Sequence, residues 1–299
     1  MFQRLELLSS PNWQDYELID SGRGQKLERF GPYTFVRPEH QAVWQRRLPE
    51  KHWQAAQAVF QPTIGEEMGG KWQFRQPTAP SWKMQYGALA FEAQMSSSRH
   101  VGVFPEQAAH WDWMAAQIQK SPQPTQVLNL FGYTGLATLA CAAAGSKVTH
   151  VDASRKAIAW ARQNQRLSGL ADQPIRWMVD DALKFVLREG RRGVKYDGLV
   201  LDPPKFGRGP KGEVWECFEM LPTLLAACRE ILCPHPLFVV LTAYAIRASA
   251  LSVYYALEEM TRGLGGTVSA GELITIEKSG GRMLSQAIYA RWHAMEQQD

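Results

Sequence analysis

An apolar run, DGLVLD, ends at Asp202 and passes directly into Pro203, Pro204, Lys205 and the glycine- and cation-rich segment FGRGPK. Proline fixes its own φ and restricts the residue before it, so Asp202 and the Pro203 carbonyl become a rigid pair of acceptors at the end of a buried strand. Such a pair can orient an amine whose nitrogen attacks an electrophilic carbon, supplying alignment more than acid-base chemistry. Lys205 beside it can pair with a phosphate or stabilise negative charge developing on an oxygen. The plainer alternative is a proline-stiffened strand exit with no chemistry.

Three earlier segments have the same form, an apolar strand delivering one or two special residues. NLFGYTG (Asn129–Gly135) places Gly132 and Gly135 where a helix opens; glycine permits the turn and lets a ligand approach the main chain. The GxGxxG spacing that serves a pyrophosphate is missing, which counts against a dinucleotide. KVTHVD ends in Asp152, about 20 residues after the loop, where a carboxylate can accept both ribose hydroxyls; with Ala153 and Ser154 it can equally begin a helix. The third run ends in Asp180 and Asp181 before Ala182. Asp181 is the better placed to accept from a purine exocyclic amine, although a helix cap is as natural. Taken in order, the three ends describe a nucleoside ligand without a pyrophosphate, which points to S-adenosylmethionine, with Asp202 facing its sulfonium.

Those residues need a scaffold that lines up strand ends. From about Pro105 apolar strands alternate with helical patterns: QVLNL, KVTHVD, IRWMVD, DGLVLD and LFVVLTA are separated by helices, including a helical region from Glu213 to Leu232 broken by Pro222. This alternation predicts an α/β fold, a Rossmann-like parallel sheet covered on both faces. The last segments, ELITIEKSG and AIYARWHAM, form an antiparallel hairpin at its edge. Residues 1–98, rich in Trp, Gly and Pro with short strand-like runs, read as a separate β-rich domain, and residues 99–299 as the ligand-binding one.

Composition bounds the function only loosely. The 299 residues are 45% hydrophobic and 21% charged, and 33 basic against 29 acidic side chains give a net charge of +4. That excess permits an anionic partner without requiring one. Cys141, Cys217, Cys228 and Cys233 show no paired metal spacing and sit among apolar residues, which fits a reducing compartment and a reaction without a metal. No run reaches the roughly 20 apolar residues of a membrane span, and the amino terminus lacks a signal-like stretch; a cytoplasmic protein is expected.

LNLFGYTG, VDAS, DDALKF and LDPPKFG, in this order and spacing, resemble the class I S-adenosylmethionine-dependent methyltransferases. More narrowly they are similar to the bacterial group that includes the large-subunit ribosomal RNA cytosine-C5 methyltransferases, and RHVGVFPEQAAHWDW from Arg99 resembles that group's segment ahead of the catalytic fold. The resemblance spans roughly residues 80–295. It implies a seven-stranded sheet whose final hairpin supplies the antiparallel strand. It also implies that Asn129, Phe131, Gly132 and Gly135 surround the methionine part of the cofactor, that Asp152 (with Ala153) holds the ribose and Asp181 (with Ala182) the adenine amine. Phe104 and Gln107 would line the pocket, and Asp202, Pro203, Pro204 and Lys205 would form the catalytic edge.

Two departures limit the narrower resemblance. Cytosine C5 needs a cysteine thiolate to add to the ring; where that group has a Thr-Cys-Ser-Cys segment, this chain reads LTAYAIRAS, with Ala243 and Tyr244. The amino-terminal region also lacks the group's PUA-like pattern, although Arg23, Lys26, Arg29, Arg37, Arg46 and Arg47 fall among Phe30, Tyr33, Phe35 and Trp44, a mixture suited to phosphates and exposed bases. A small barrel with solvated charges is the alternative. A second basic cluster runs through Arg188, Arg191, Arg192, Lys195, Lys205, Arg208 and Lys211. The expectation is a methyltransferase acting on RNA, ribosomal RNA first, in which Phe206 either stacks on a base or packs inward, and in which a homodimer is possible. A protein or small-molecule acceptor, a non-catalytic cofactor-binding relative and, more weakly, an oxidoreductase are the rivals.

Overall fold

The computed structural model describes residues 4–63, 69–96, 98–244 and 247–295. A short first strand, β1 (Glu6–Ser9), joins the edge of a large sheet. The chain then builds a smaller unit, Ser9–Ala108 together with Ile274–Ser285. Its strands β2 (Tyr16–Gly22), β3 (Gln25–Phe30) and β4 (Tyr33–Pro38), the short helix α1 (Glu50–Gln54), and β5 (Ala58–Pro62) and β6 (Gly70–Phe74) form one sheet in chain order. β4 and β5 are parallel and the other pairs antiparallel. A separate hairpin follows, β7 (Ser81–Tyr86) and β8 (Leu89–Gln94). Arg23 and Gly24, with φ of 53° and 74°, make the tight β2–β3 turn, a connection that needs both central residues in the left-handed region.

Phe30, Phe35, Met84 and Phe91 fill this unit's interior. Of the six basic residues expected on a nucleic-acid surface, Lys26 and Arg37 are buried, Arg29 and Arg46 are half-buried, and Arg23 and Arg47 are exposed. Glu28, fully buried, accepts from Arg37 at 2.7 and 2.8 Å and from the Tyr16 hydroxyl at 2.8 Å, with Lys26 3.8 Å away. Arg46 pairs with Glu50 at 2.8 Å and lies over the Trp53 ring, Arg23 donates to Gln45, and Arg29 bonds the Gly31 and Gln14 carbonyls. Burying a charge is tolerable only when it is paired, and that requirement accounts for Lys26, Glu28 and Arg37.

The larger unit comprises Met1–Leu8, Ala109–Leu273 and Gln286–Asp299. A 3-10 turn (Pro105–Gln107) leads into α2 (Ala108–Lys120). Then alternate β9 (Gln126–Leu130), α3 (Leu136–Ala143), β10 (Lys147–Asp152), α4 (Arg155–Leu167), β11 (Ile175–Val179), α5 (Ala182–Arg191) and β12 (Gly198–Leu201). A small hairpin, β13 (Phe206–Arg208) with β14 (Val214–Glu216), precedes α6 (Cys217–Arg229), β15 (Phe238–Ala243), α7 (Ala250–Thr261) and the closing strands β16 (Thr267–Ile276) and β17 (Met283–His293).

The sheet order is β1-β16-β17-β15-β12-β9-β10-β11, with β17 antiparallel to β15 and the five strands from β15 to β11 parallel. Helices cross over between the parallel strands, whose Leu128, Leu130, Val151, Leu199, Leu201, Val239 and Leu241 form the core. The sheet therefore has eight strands, one more than expected, because β1 extends the edge. The helical region expected from Glu213 also begins later: Val214–Glu216 pairs with Phe206–Arg208, and α6 starts at Cys217 and runs through Pro222 unbroken. No helix among the described residues is long and apolar enough to cross a membrane.

Candidate cofactor and acceptor site

Parallel register sets the strand ends level. Leu130 lies opposite both Val151 and Leu201, and Asp152 opposite Val179, so Phe131, Asp152, Asp180 and Asp202 emerge at one edge. β9 is where the order reverses, with β10 and β11 to one side and β12 and β15 to the other. A crevice outside the carboxyl ends at such a point is where open α/β sheets bind ligands.

The loop after β9 is held in an uncommon conformation. Phe131, Tyr133 and Gly135 have φ of 58°, 49° and 86°; left-handed backbone costs a non-glycine residue on the order of 1 kcal/mol and persists only where surroundings enforce it. Here Gly132 N donates to the Val151 carbonyl at 3.1 Å, and Tyr133 N to Asp152 Oδ2 at 2.9 Å. Beneath the loop Asn129, 2% exposed, donates to Thr138 Oγ1 at 2.9 Å, and that hydroxyl lies 2.8 Å from His150 Nδ1. Burial alone drives the His150 pKa down to about 3, so the imidazole is neutral and shares one hydrogen bond with the Thr138 hydroxyl.

The two glycines answer to packing. A Cβ on Gly132 would lie 2.3 Å from the His150 ring, and one on Gly135 2.8 Å from Ala161 Cβ. Asn129, expected beside the methionine part of the cofactor, has its amide committed below the loop.

Asp152 takes the helix-start role that the sequence allowed it, and it also braces the β9 loop. Oδ1 accepts from Ser154 N at 2.8 Å, across Ala153 and into the start of α4, while Oδ2 holds the Tyr133 amide. Burial keeps the carboxyl above the usual aspartate range despite both donors. Each oxygen of a carboxylate can accept twice, so two acceptor positions remain for a vicinal diol.

Asp181 caps α5 through Oδ1 and Lys184 N at 2.9 Å, with Ala182 buried as the helix's first residue. Asp180 accepts from Asp181 N and forms an ion pair with Arg188. Both Asp180 oxygens are thus engaged, whereas the Asp181 cap is made through Oδ1 alone.

At the fourth strand end Asp202 N reaches the Leu130 carbonyl at 3.4 Å, Pro203 is buried, and Pro204 and Lys205 are exposed. Trp215, 3% exposed, was given no role by the sequence. Its indole N–H donates to the Pro204 carbonyl at 2.7 Å, and its ring lies 4.9 Å from that of Phe131. One side chain therefore touches both the β9 loop and the proline turn. The only sequence cue was a tryptophan close behind the glycine-rich turn.

No thiol is poised here. Cys141, Cys217 and Cys228 are buried; burial raises the Cys141 pKa to about 12 and lifts those of Cys217 and Cys228. Cys217 is brought close to the proline turn, its N–H donating to the Lys205 carbonyl at 3.0 Å, but its side chain belongs to the core. Cys233, raised to about 11, bonds Asp197 ahead of the opposite end of β12. Ala243 is buried, Tyr244 is half-buried, and Ala245 and Ile246 lie outside the described residues. Phe104 and Gln107 belong to the smaller unit, where Phe104 precedes the 3-10 turn and packs 4.6 Å from the His100 ring.

Residues 24–264 match the family model described as S-adenosylmethionine-dependent methyltransferase. The chain belongs to this family. A solved SAM-dependent methyltransferase from Agrobacterium tumefaciens is 49% identical, with a TM-score of 0.92 over 97% of this chain and 94% of that one. A SAM-dependent methyltransferase from Streptococcus mutans shares the fold at 14% identity and a TM-score of 0.72, over 94% and 76% of the two chains. Among curated proteins, ribosomal RNA large subunit methyltransferase I from Aeromonas salmonicida is 35% identical over 113 residues, 38% of this chain; the match spans only 26% of that relative's length.

The cofactor of the methyltransferase is therefore S-adenosylmethionine, and the donor set suits it: a half-buried carboxylate with two open acceptor positions and a capping aspartate on the neighbouring strand end. When bound, S-adenosylmethionine supplies a methyl group made electrophilic by its sulfonium.

Proposed function

We propose that this methyltransferase methylates a nitrogen of an RNA base, with ribosomal RNA the favoured acceptor. The carrying observation is the levelling of four strand ends at the switch point, which puts the Asp202–Pro203 acceptors beside the β9 loop. Asp152 holds the ribose, Asp181 the adenine amine, and main chain around Phe131–Gly135 the methionine moiety. Asp202 and the Pro203 carbonyl receive the N–H groups of the acceptor amine and aim its lone pair, while Lys205 pairs with a nearby phosphate. Orientation of this kind accounts for several orders of magnitude of rate without proton transfer by the protein. The similarity to ribosomal RNA large subunit methyltransferase I supports RNA as the substrate class. Buried thiols with raised pKa values support direct attack by nitrogen over a cysteine adduct.

Asp202→Ala tests this reading. Calorimetry should find S-adenosylmethionine affinity within about twofold of the parent while transfer to RNA falls by about 100-fold or more. Lost cofactor affinity with undiminished turnover per bound cofactor would refute the assignment.

A further inference from the structure

The β13–β14 hairpin that follows the proline turn has two unlike faces. Pairing sets Phe206 opposite Glu216, Gly207 opposite Trp215, and Arg208 opposite Val214. Side chains alternate across a strand, so Gly207 and Trp215 share the inner face. Trp215 is buried there with its N–H on Pro204, and a Cβ on Gly207 would lie 3.3 Å from Pro204 Cγ. The outer face is left with Phe206, Arg208, Val214 and Glu216. Phe206 is 55% exposed and Val214 50%; Phe218, two residues past the hairpin, is 56% exposed.

A hydrophobic ribbon displayed beside cations is a poor use of a surface that only has to be wet. The apolar pair is flanked by Arg208 and Lys205, both exposed, and Glu216 is the one carboxylate of that face. Exposed aromatic faces beside basic side chains are what unpaired nucleic acid requires, since every base offers a π-face for stacking and every linkage a negative phosphate. A paired base cannot stack in this way, so duplex is disfavoured. The hairpin is also tied to the proposed acceptor-orienting turn by Trp215, which sets its orientation relative to Asp202.

We propose that the outer face of the β13–β14 hairpin is the docking platform for single-stranded RNA, with Phe206 stacking on a base and Arg208 contacting a phosphate. The proposal rests on the reading of RNA as acceptor and adds where and in what form the RNA is held. It also resolves the two roles open to Phe206, because the ring faces outward.

The test is fluorescence anisotropy of the full chain with a labelled mixed-sequence RNA, single-stranded and as duplex, over a salt series. Single strands should bind more tightly than duplex. Phe206→Ala should raise the single-strand Kd about tenfold with the salt slope kept, and Phe206→Tyr should restore binding. Arg208→Ala should weaken binding and lower the slope by about one. S-adenosylmethionine affinity should be unchanged in all three, which shows that each is folded. RNA binding by the parent that neither alanine variant alters would overturn the platform and leave the RNA reading standing. No RNA binding by the parent would overturn both and direct the search to a protein acceptor.

Discussion

Asp152 is committed to the protein before it meets a ligand, since its two oxygens anchor the Tyr133 amide and the start of α4. Asp152→Ala should raise the S-adenosylmethionine Kd by about 10- to 100-fold in calorimetry, the cost of one or two charged hydrogen bonds; an unchanged Kd would refute the ribose assignment. His150 supplies a second residue-scale prediction. Folded, it stays neutral down to about pH 3, whereas its ordinary pKa is 6.5. Between those values the unfolded chain binds the extra proton, so stability falls as pH falls, by at most about 1.4 kcal/mol per pH unit. His100 and His110, also depressed by burial, act in the same direction. Urea unfolding across this range should show a slope shallower by about one proton in His150→Gln; an unaltered slope would mean that His150 is not buried neutral. The four aspartates were legible because each ends an apolar run. Thr138, His150 and Trp215 were not, because what joins them to the site is contact between separate segments, and beyond a tryptophan close behind the glycine-rich turn nothing in their local pattern marks it.

At the scale of elements, the α/β alternation carried the sheet, since each buried strand is an apolar run and each crossover helix a longer amphipathic one. The hairpin is hidden in the sequence for a physical reason: its strands are three residues each, too short to show a period of two, and VWECFEM merges with the helix behind it. Yet the hairpin brings Trp215 onto the proline turn. Trp215→Phe keeps the ring that packs on Phe131 and deletes only the N–H donated to Pro204. The turn should loosen while the cofactor loop stays in place, lowering kcat by about tenfold with S-adenosylmethionine affinity and RNA KM within about twofold, as a lost neutral hydrogen bond of about 1–1.5 kcal/mol would give. A change confined to KM, or equal losses in cofactor affinity and turnover, would show that Trp215 does not position the turn.

For the molecule as a whole, charge was the least informative part of the sequence. A net +4 is compatible with RNA, but two of the cations that looked suited to it, Lys26 and Arg37, are buried against Glu28, and Arg188 is paired with Asp180. Sequence shows that a residue is basic and cannot show that a carboxylate 2.7 Å away has used it. Lys205 and Arg208 remain exposed just after Asp202, and Arg23, Arg47, Arg191, Arg192 and Lys195 are exposed as well.

The most direct test is methyl transfer from labelled S-adenosylmethionine to total RNA from a strain lacking the protein, followed by digestion to nucleosides and mass spectrometry. The structure predicts label in a nitrogen-methylated nucleoside, lost in Asp202→Ala and kept in Cys217→Ser. Label on cytosine C5 that disappears in Cys217→Ser would contradict it, by showing that the buried thiol beside the proline turn is the nucleophile.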